Sequence, residues 1–288
     1  DIVTGTHVQL AGTALGNLII GKTGNSSTIN INSPIAVSDD ISIYSGELTV
    51  NNNITSNNSG SDVLFNSSNI TLNAPITSSG TSTVTINSSG NVIDGINGSF
   101  VGKIISTNLL LTGNGNFNLD STTNNVSIIS AGSNASRLGS LNFTNSNALV
   151  VGSVGSNSGI YTTGTIAIST LTGDLSVSQN INTQNTSTTA LILNASQSTA
   201  AGVSSGGDLK FSGGASITIG ANATAKLYSG SILGSTGLTA ITGSGSNRFR
   251  YNSDESNSNY SLTLGTGIHA IYRERPSLTI IADDKTVT

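Results

Sequence analysis

The chain has 288 residues, of which only 8% are charged, and it carries a formal net charge of −4 and no cysteine. The missing cysteines exclude disulfides, thiolate metal sites and cysteine nucleophiles, and an acidic balance without a basic cluster excludes a nucleic-acid partner. No apolar run approaches the ~20 residues that a spanning helix requires, so we expect no membrane span. The chain begins at Asp1 and contains no methionine, so we expect a processed product or a fragment.

Apolar residues make up 35% of the chain and aromatic residues 4%. A soluble globular domain usually has about 25% charged residues and a larger apolar fraction. Ser, Thr, Asn and Gly fill the remainder, and an ordinary globule cannot close a core on such material. A solenoid can, because each of its turns needs only a few inward residues and contacts only its neighbours.

The first residues already show short apolar pieces, at positions 8–10 and 18–20, separated by glycines. A pattern of alternating apolar and polar residues, a polar corner and one more apolar residue then recurs at positions 29–35, 48–54, 70–76, 175–181 and 217–223. The spacing from Ile31 to Val50 to Leu72 is about 20 residues, and a period of this size with one short structural unit is typical of solenoids. We interpret Val177 to Ile219 as two such periods.

Strict alternation, as in Val84-Thr85-Ile86, indicates strands with one buried and one exposed face. Between 101 and 240 similar pieces continue at less regular intervals, which indicates loops of unequal length at the corners. In residues 1–28 apolar residues seldom recur at helical spacing, and Asn, Ser, Thr and Gly are poor helix formers, so we expect no helix there. Asparagine at the corners suits tight turns, and a buried asparagine ladder is a further expectation.

After about residue 245 the composition changes. Ten of the 24 charged residues lie between Arg248 and Lys285, and tyrosines occur close to several of them. One group is a candidate either for a cap over the last turn, which would protect open strand edges, or for a patch that binds a glycan or protein partner. Its members are Arg248, Arg250, Tyr251, Tyr272, Arg273 and Arg275.

The stretches 248–255 and 270–276, with Tyr260 between them, resemble a segment of filamentous-haemagglutinin-like large secreted bacterial adhesins. Positions 170–181 and 228–231 are similar to the haemagglutinin repeats of the same group. The resemblance implies a right-handed parallel β-helix, export to the cell surface, and a role in adhesion or surface structure. It also implies that immunoglobulin-like repeat modules follow the solenoid. It supplies no catalytic residues.

We therefore predict an all-β fold, a right-handed parallel β-helix over residues 1–275 with about 13 turns. Residues 276–288 are predicted to be a linker and the start of a following, truncated β module. The expected function is structural and adhesive: an elongated stalk or fibre segment of a secreted or cell-surface bacterial protein. Its partners would be further copies end to end, or a glycan or protein of a host or cell surface.

Three alternatives stay open: a self-assembling extracellular filament subunit, a polysaccharide-processing β-helix enzyme, and an ice-binding surface built on threonines such as Thr81 and Thr83. We expect no enzymatic activity and no cofactor. His7 and His269 lack a second metal-ligand pattern, and Asp39-Asp40 and Asp283-Asp284 are adjacent carboxylate pairs on which a glycosidase site could be built.

Overall fold

The computed structural model describes residues 16–277. Several sequence predictions lie outside this range: the strand at 8–10, His7, the carboxylates Asp283-Asp284 and most of the expected second module, 278–288. Within it the protein is all-β, as predicted: a single sheet of 24 strands, paired in parallel throughout, is accompanied by two small antiparallel hairpins. This architecture is that of a parallel β-helix. Right-handed winding, which parallel crossover connections strongly favour, stays a prediction.

The strands are short, and most connections between them are corners of a few residues. In the first half they are β1 (Leu18–Ile20), β2 (Thr28–Ile31), β3 (Ile35–Val37), β4 (Ile41–Val50), β5 (Ile54–Ser56), β6 (Val63–Leu72), β7 (Pro75–Ser78), β8 (Thr83–Ser88), β9 (Asn91–Asp94), β10 (Ile96–Asn97), β11 (Phe100–Val101), β12 (Lys103–Thr112), β13 (Asn116–Leu119) and β14 (Asn125–Ala131).

The second half contains β15 (Ser140–Asn145), β16 (Leu149–Val151), β17 (Ser153–Val154), β18 (Asn157–Ser158), β19 (Ile160–Thr162), β20 (Ile166–Thr170), β21 (Leu175–Val177), β22 (Ile181–Thr183), β23 (Leu191–Asn194), β24 (Leu209–Phe211), β25 (Ile217–Thr218), β26 (Thr224–Ser229), α1 (Leu238–Thr242), the 3-10 helix Ser246–Arg248, β27 (Phe249–Arg250) and β28 (Gly267–Tyr272).

Inward side chains stack in columns that run along the axis of the solenoid. The predicted register of Ile31, Val50 and Leu72 is confirmed, since each is the direct partner of the next. The longest column has ten members, all from successive turns: Ile29, Leu48, Ile70, Val92, Phe117, Leu141, Ile166, Leu191, Ala225 and Ile268. Most of them are fully buried, so the core is a narrow aliphatic rod flanked by backbone ladders.

Three details of the sequence interpretation are wrong. Leu175 and Val177 stack on Leu149 and Val151, which belong to a different side of the turn from Ile29 and Ile31. Val177 then pairs with Phe211 on the very next turn, so the segment up to Ile219 covers one period and not two. The physical reason is that every corner of a turn has the same sequence pattern of a strand, a polar bend and a second strand. The pattern alone therefore does not identify the corner to which a segment belongs.

The turn length explains the second error. It grows from 19 residues, between Ile29 and Leu48, to 43 residues, between Ala225 and Ile268. The third error is the number of turns: the described chain forms ten turns, fewer than the 13 predicted from a constant period. One of the long connections contains the short helix α1.

Asparagine and aspartate at the corners connect successive turns. Asp40 accepts the N–H of Asp62, 2.8 Å away, and Asp62 accepts that of Thr83 at the same distance. Asn124 and Asn145 are fully buried, and their side-chain oxygens accept the N–H groups of Ile104 and Val126. Each such bond satisfies a backbone donor that the bend leaves without a ladder partner. This requirement accounts for much of the asparagine in the chain.

Two hairpins project from the corners, and both are built on the same spacing of glycines, G-x-x-G-S-x-x-G. The first runs from Gly95 to Gly102 and the second from Gly152 to Gly159; in each, the second flanking glycine donates its N–H to the carbonyl of the first. The central glycines Gly98 and Gly155 have φ near +60°, as the first position of a tight two-residue hairpin turn requires. The sequence interpretation missed this motif.

Candidate functional site

The last strands of the sheet are not in chain order. β28 pairs with β26 on one side and with β27 on the other, so β27 is the outermost strand of the described sheet although it precedes β28 in the chain. Phe249 pairs with Ala270 and Arg250 with Ile271. The chain thus leaves a gap of one strand when it forms β27, and β28 fills that gap.

A short helix covers the neighbouring side of this end. Just before this helix, the carbonyl of Thr236 accepts the N–H of Phe211 at 3.0 Å, and the N–H of Thr236 donates to the carbonyl of Leu209 at 3.1 Å. These two bonds add one more pairing to the sheet. Leu238 at the start of α1 is 2% exposed and joins the core. The apolar core therefore ends beneath α1 and β27.

Three aromatic rings lie parallel at this end. The rings of Tyr251 and Tyr272 are 5.5 Å apart and those of Phe249 and Tyr272 are 6.4 Å apart, each pair within 10° of parallel. Tyr272 is buried, and burial raises the pKa of its hydroxyl to about 12. Tyr251 is 37% exposed, so one of the three rings reaches the surface.

Arg273 points into the protein. Its side chain is fully buried, donates from Nη1 to the carbonyl of Ala195 at 2.6 Å, and bonds through Nη2 to Oδ1 of Asn194. The carboxylate of Glu255 is 3.9 Å away. Burial lowers the pKa of Arg273, and Glu255 and Asp254 oppose that shift. A guanidinium enclosed in this way holds two distant turns together and is not available to an external ligand.

The other arginines lie elsewhere on the same end. Arg248 donates from Nη1 to the carbonyl of Thr266 at 2.8 Å, and Arg250 lies 5.2 Å from the ring centre of Tyr260. Arg275 is exposed. The structure thus brings Tyr251 and Tyr272 of the sequence-predicted group into contact but places its four arginines in separate environments.

Asp254 and Arg273 both bind the loop that follows β23. Ala201 donates its N–H to Oδ2 of Asp254 at 2.7 Å, and Gly202 donates to the carbonyl of Arg273 at 2.7 Å. Burial acts to raise the pKa of Asp254, but N–H donation from Asn257, Ala201 and Ser256 outweighs it and leaves the pKa below its usual value. This carboxylate is a hydrogen-bond acceptor for three backbone groups.

Sequence reasoning missed one unusual carboxyl group. Asp94 is the register partner of Leu72 and thus stands at an inward position, where its Oδ2 accepts the N–H of Ser121 at 2.7 Å. Burial raises its pKa to about 6; the Ser121 bond opposes the shift and the nearby Asp120 adds to it. The alternation in Val92-Ile93-Asp94 was the signal, since it gives Asp94 the same orientation as Val92.

The remaining candidates have structural partners. His269 is 3% exposed, and its ring nitrogens lie 3.2 Å and 2.9 Å from the carbonyls of Asn247 and Gly265. Oδ1 of Asp39 accepts the N–H of Asp40 at 3.1 Å. Across residues 16–277 the His, Asp and Glu side chains form no group of three that could hold a metal ion.

Comparisons of the chain with protein-family models, with curated proteins and with solved structures found no match. Among the residues that the structure describes, no helix has the length and apolar character needed to cross a membrane.

Proposed function

We propose that the chain is an elongated stalk segment of a large secreted or cell-surface bacterial protein of the filamentous-haemagglutinin-like type, with a structural and adhesive role. The observation that carries this proposal is the ten-member column from Ile29 to Ile268. At about 4.8 Å per turn it gives a rod roughly 43 Å long. A rod of stacked turns projects whatever follows it away from a surface and offers long outer faces for contact.

The C-terminal geometry supports a stalk over a self-assembling filament. Turns of separate molecules would have to stack through open strand edges and an open core. At this end α1, the aromatic rings of Tyr251 and Tyr272 and the contacts of Arg273 cover the core. We propose that Arg248, Arg250, Tyr251, Tyr272 and Arg273 act as a cap, with exposed Arg275 leading toward the next module.

Sedimentation velocity and electron microscopy of the full chain test the stalk. We expect monomeric rods at all concentrations; fibres that lengthen with concentration would replace the stalk by the filament alternative. Adhesion is tested with beads coated with the chain, applied to cell monolayers beside beads coated with albumin. Equal attachment of both beads would contradict the adhesive part of the proposal, and release of reducing ends from polysaccharides would favour the enzyme alternative.

A further inference from the structure

A groove follows the bend between two sides of the solenoid. The ten-residue strands β4 and β6 change direction near Gly46 and Ser68, and the outward side chains on either side of the bend border an open groove of about 770 Å³. The groove crosses five successive turns, at positions 24–28, 44–47, 66–69, 87–89 and 113–114. With a spacing of about 4.8 Å per turn it is roughly 19 Å long and parallel to the axis.

Two glycines line the groove at places where successive turns approach each other closely. A Cβ atom on Gly46 would lie 2.1 Å from the carbonyl oxygen of Ser26, and one on Gly113 would lie 2.0 Å from that of Ser88. No side chain larger than hydrogen fits at either position, so neither of these two lining residues can narrow the groove with a side chain.

Polar side chains in register form the two walls. Tyr44, Asn66 and Asn87 are direct partners on consecutive turns along one wall, and Glu47 and Asn69 are partners along the other. Asn87 donates to Oδ1 of Asn66 at 3.4 Å and Asn69 donates to Oε1 of Glu47 at 3.5 Å. A side-chain amide has two N–H groups and an oxygen with two lone pairs, so each of these asparagines keeps hydrogen-bonding capacity for a ligand.

The chemistry of the walls selects the ligand. Among residues 16–277, Glu47 is the one charged residue that lines the groove, and no lysine or arginine of this range does, so sulfated, phosphorylated or uronic polymers would meet no counter-charge from it. An added peptide strand is excluded as well, because β4 and β6 pair with neighbouring turns on both sides. Rows of amides and hydroxyls beside one tyrosine ring match the hydroxyls and apolar ring faces of neutral sugars.

We propose that this groove binds an extended neutral polysaccharide along the solenoid axis, with Tyr44, Asn66, Asn87, Glu47 and Asn69 as contacts. The inference rests on the proposed adhesive function and names its ligand class. The sugar chain lies along the walls, and the amides spaced by one turn bind successive sugar units.

Isothermal titration of the full chain with neutral linear hexasaccharides of glucose, mannose, xylose and galactose, and with a heparin hexasaccharide, tests it. At least one neutral sugar should bind, the heparin fragment should not, and the variants Tyr44→Ala and Asn66→Ser/Asn87→Ser should each weaken binding at least about tenfold. The matched control is Asn51→Ser/Asn73→Ser, an asparagine pair with the same stacking at another corner of the turns that contain β4 and β6; it should bind like the native chain.

Circular dichroism of each variant separates lost contacts from lost folding: the double variants should melt at similar temperatures. Failure of all neutral sugars to bind, or binding that the groove variants leave unchanged, overturns the inference. Neither outcome contradicts the proposal that the chain is a stalk segment, which monomeric rods in electron microscopy would still support. If the coated beads adhere to cells but no neutral sugar binds, the adhesive function is supported and the groove is not its binding site.

Discussion

Leu72 and Asp94 are register partners on adjacent turns of the solenoid, so a carboxyl group follows a fully buried leucine in the same inward column. The chain leaves the sheet immediately afterwards, at Gly95, to form the first hairpin. The column is continued beyond Asp94 by aliphatic and aromatic residues such as Phe143 and Ile168. Asp94 is therefore a local interruption of the core at the base of a projecting element.

The first prediction concerns pH. The pKa of Asp94 in the fold, about 6, lies above its ordinary value of 3.8 because of burial, so folding favours the protonated form. The stabilisation is then complete below about pH 4 and is lost as the pH rises through 6. After discounting for the solvent that still reaches this group, we expect about 1 kcal/mol.

The variant Asp94→Asn tests this directly, because it cannot ionise and keeps an acceptor for the N–H of Ser121. We expect it to melt about 2–4 °C above the native chain at pH 7.5 and at the same temperature at pH 4. Asp94→Leu, which restores the aliphatic column, should show the same pH trend without that acceptor. A constant difference across this pH range would contradict the assignment.

The second prediction concerns the core. Leu72 is fully buried, so Leu72→Ala should lower the free energy of unfolding by about 2–5 kcal/mol. Thr71→Ala, one residue away on the outer face, should change it by less than about 0.5 kcal/mol. Leu72→Asp should disrupt the neighbouring turns more than Ile219→Asp does, because Ile219 is only partly buried. Denaturant titration measures all four; equal effects of Leu72→Ala and Thr71→Ala would mean that the faces are reversed.

Much of this could be predicted from the sequence, for physical reasons that particular residues show. Period-2 alternation fixes the inward face within a strand, which is why Leu72, Val50 and Ile31 were assigned to one column. Alternation does not identify the corner, and it misplaced Leu175. The strand order at the C-terminal end could not be predicted either. No feature of the β27 sequence indicates that β28, which follows it in the chain, lies between β27 and β26 in the sheet.

The candidate site, too, was predictable from the sequence only in part. Composition identified the C-terminal group, because charges and aromatics are rare elsewhere in the chain. Whether an arginine points outward depends on long-range contacts such as that between Arg273 and Ala195, which are 78 residues apart. The groove beside Tyr44 was missed because asparagine and serine are so common that only their three-dimensional register distinguishes these few.

The third prediction concerns Arg273. Arg273→Ala would leave the carbonyl of Ala195 and the side chain of Asn194 without their donor and would open a cavity, so we expect a loss of about 3 kcal/mol in unfolding free energy. Arg275→Ala is the matched control, as that side chain is exposed, and should cost less than about 0.5 kcal/mol. Similar melting temperatures for the two variants would show that Arg273 does not hold the last turns together.

The fourth prediction compares two glycines of the second hairpin. Gly155 and Gly159 both have positive φ, 59° and 75°, but a Cβ on Gly155 meets open space whereas one on Gly159 would lie 2.2 Å from the carbonyl oxygen of Asn180. Gly155→Ala should cost about 1 kcal/mol for the backbone conformation alone. Gly159→Ala should cost clearly more, as seen by thermal melting; a smaller loss for Gly159→Ala than for Gly155→Ala would contradict the close approach at the corner.

The central claim is that successive turns stack in the stated register, and distances between spin labels test it most directly. The chain has no cysteine, so pairs of cysteines can be placed on the outward column that contains Thr71, Asn142 and Ile192. Thr71 is three turns from Asn142 and five from Ile192, which predicts backbone separations of about 14 Å and about 24 Å. An increase of about 10 Å from the first labelled pair to the second supports the solenoid; equal distances, or an increase several times larger, would contradict it.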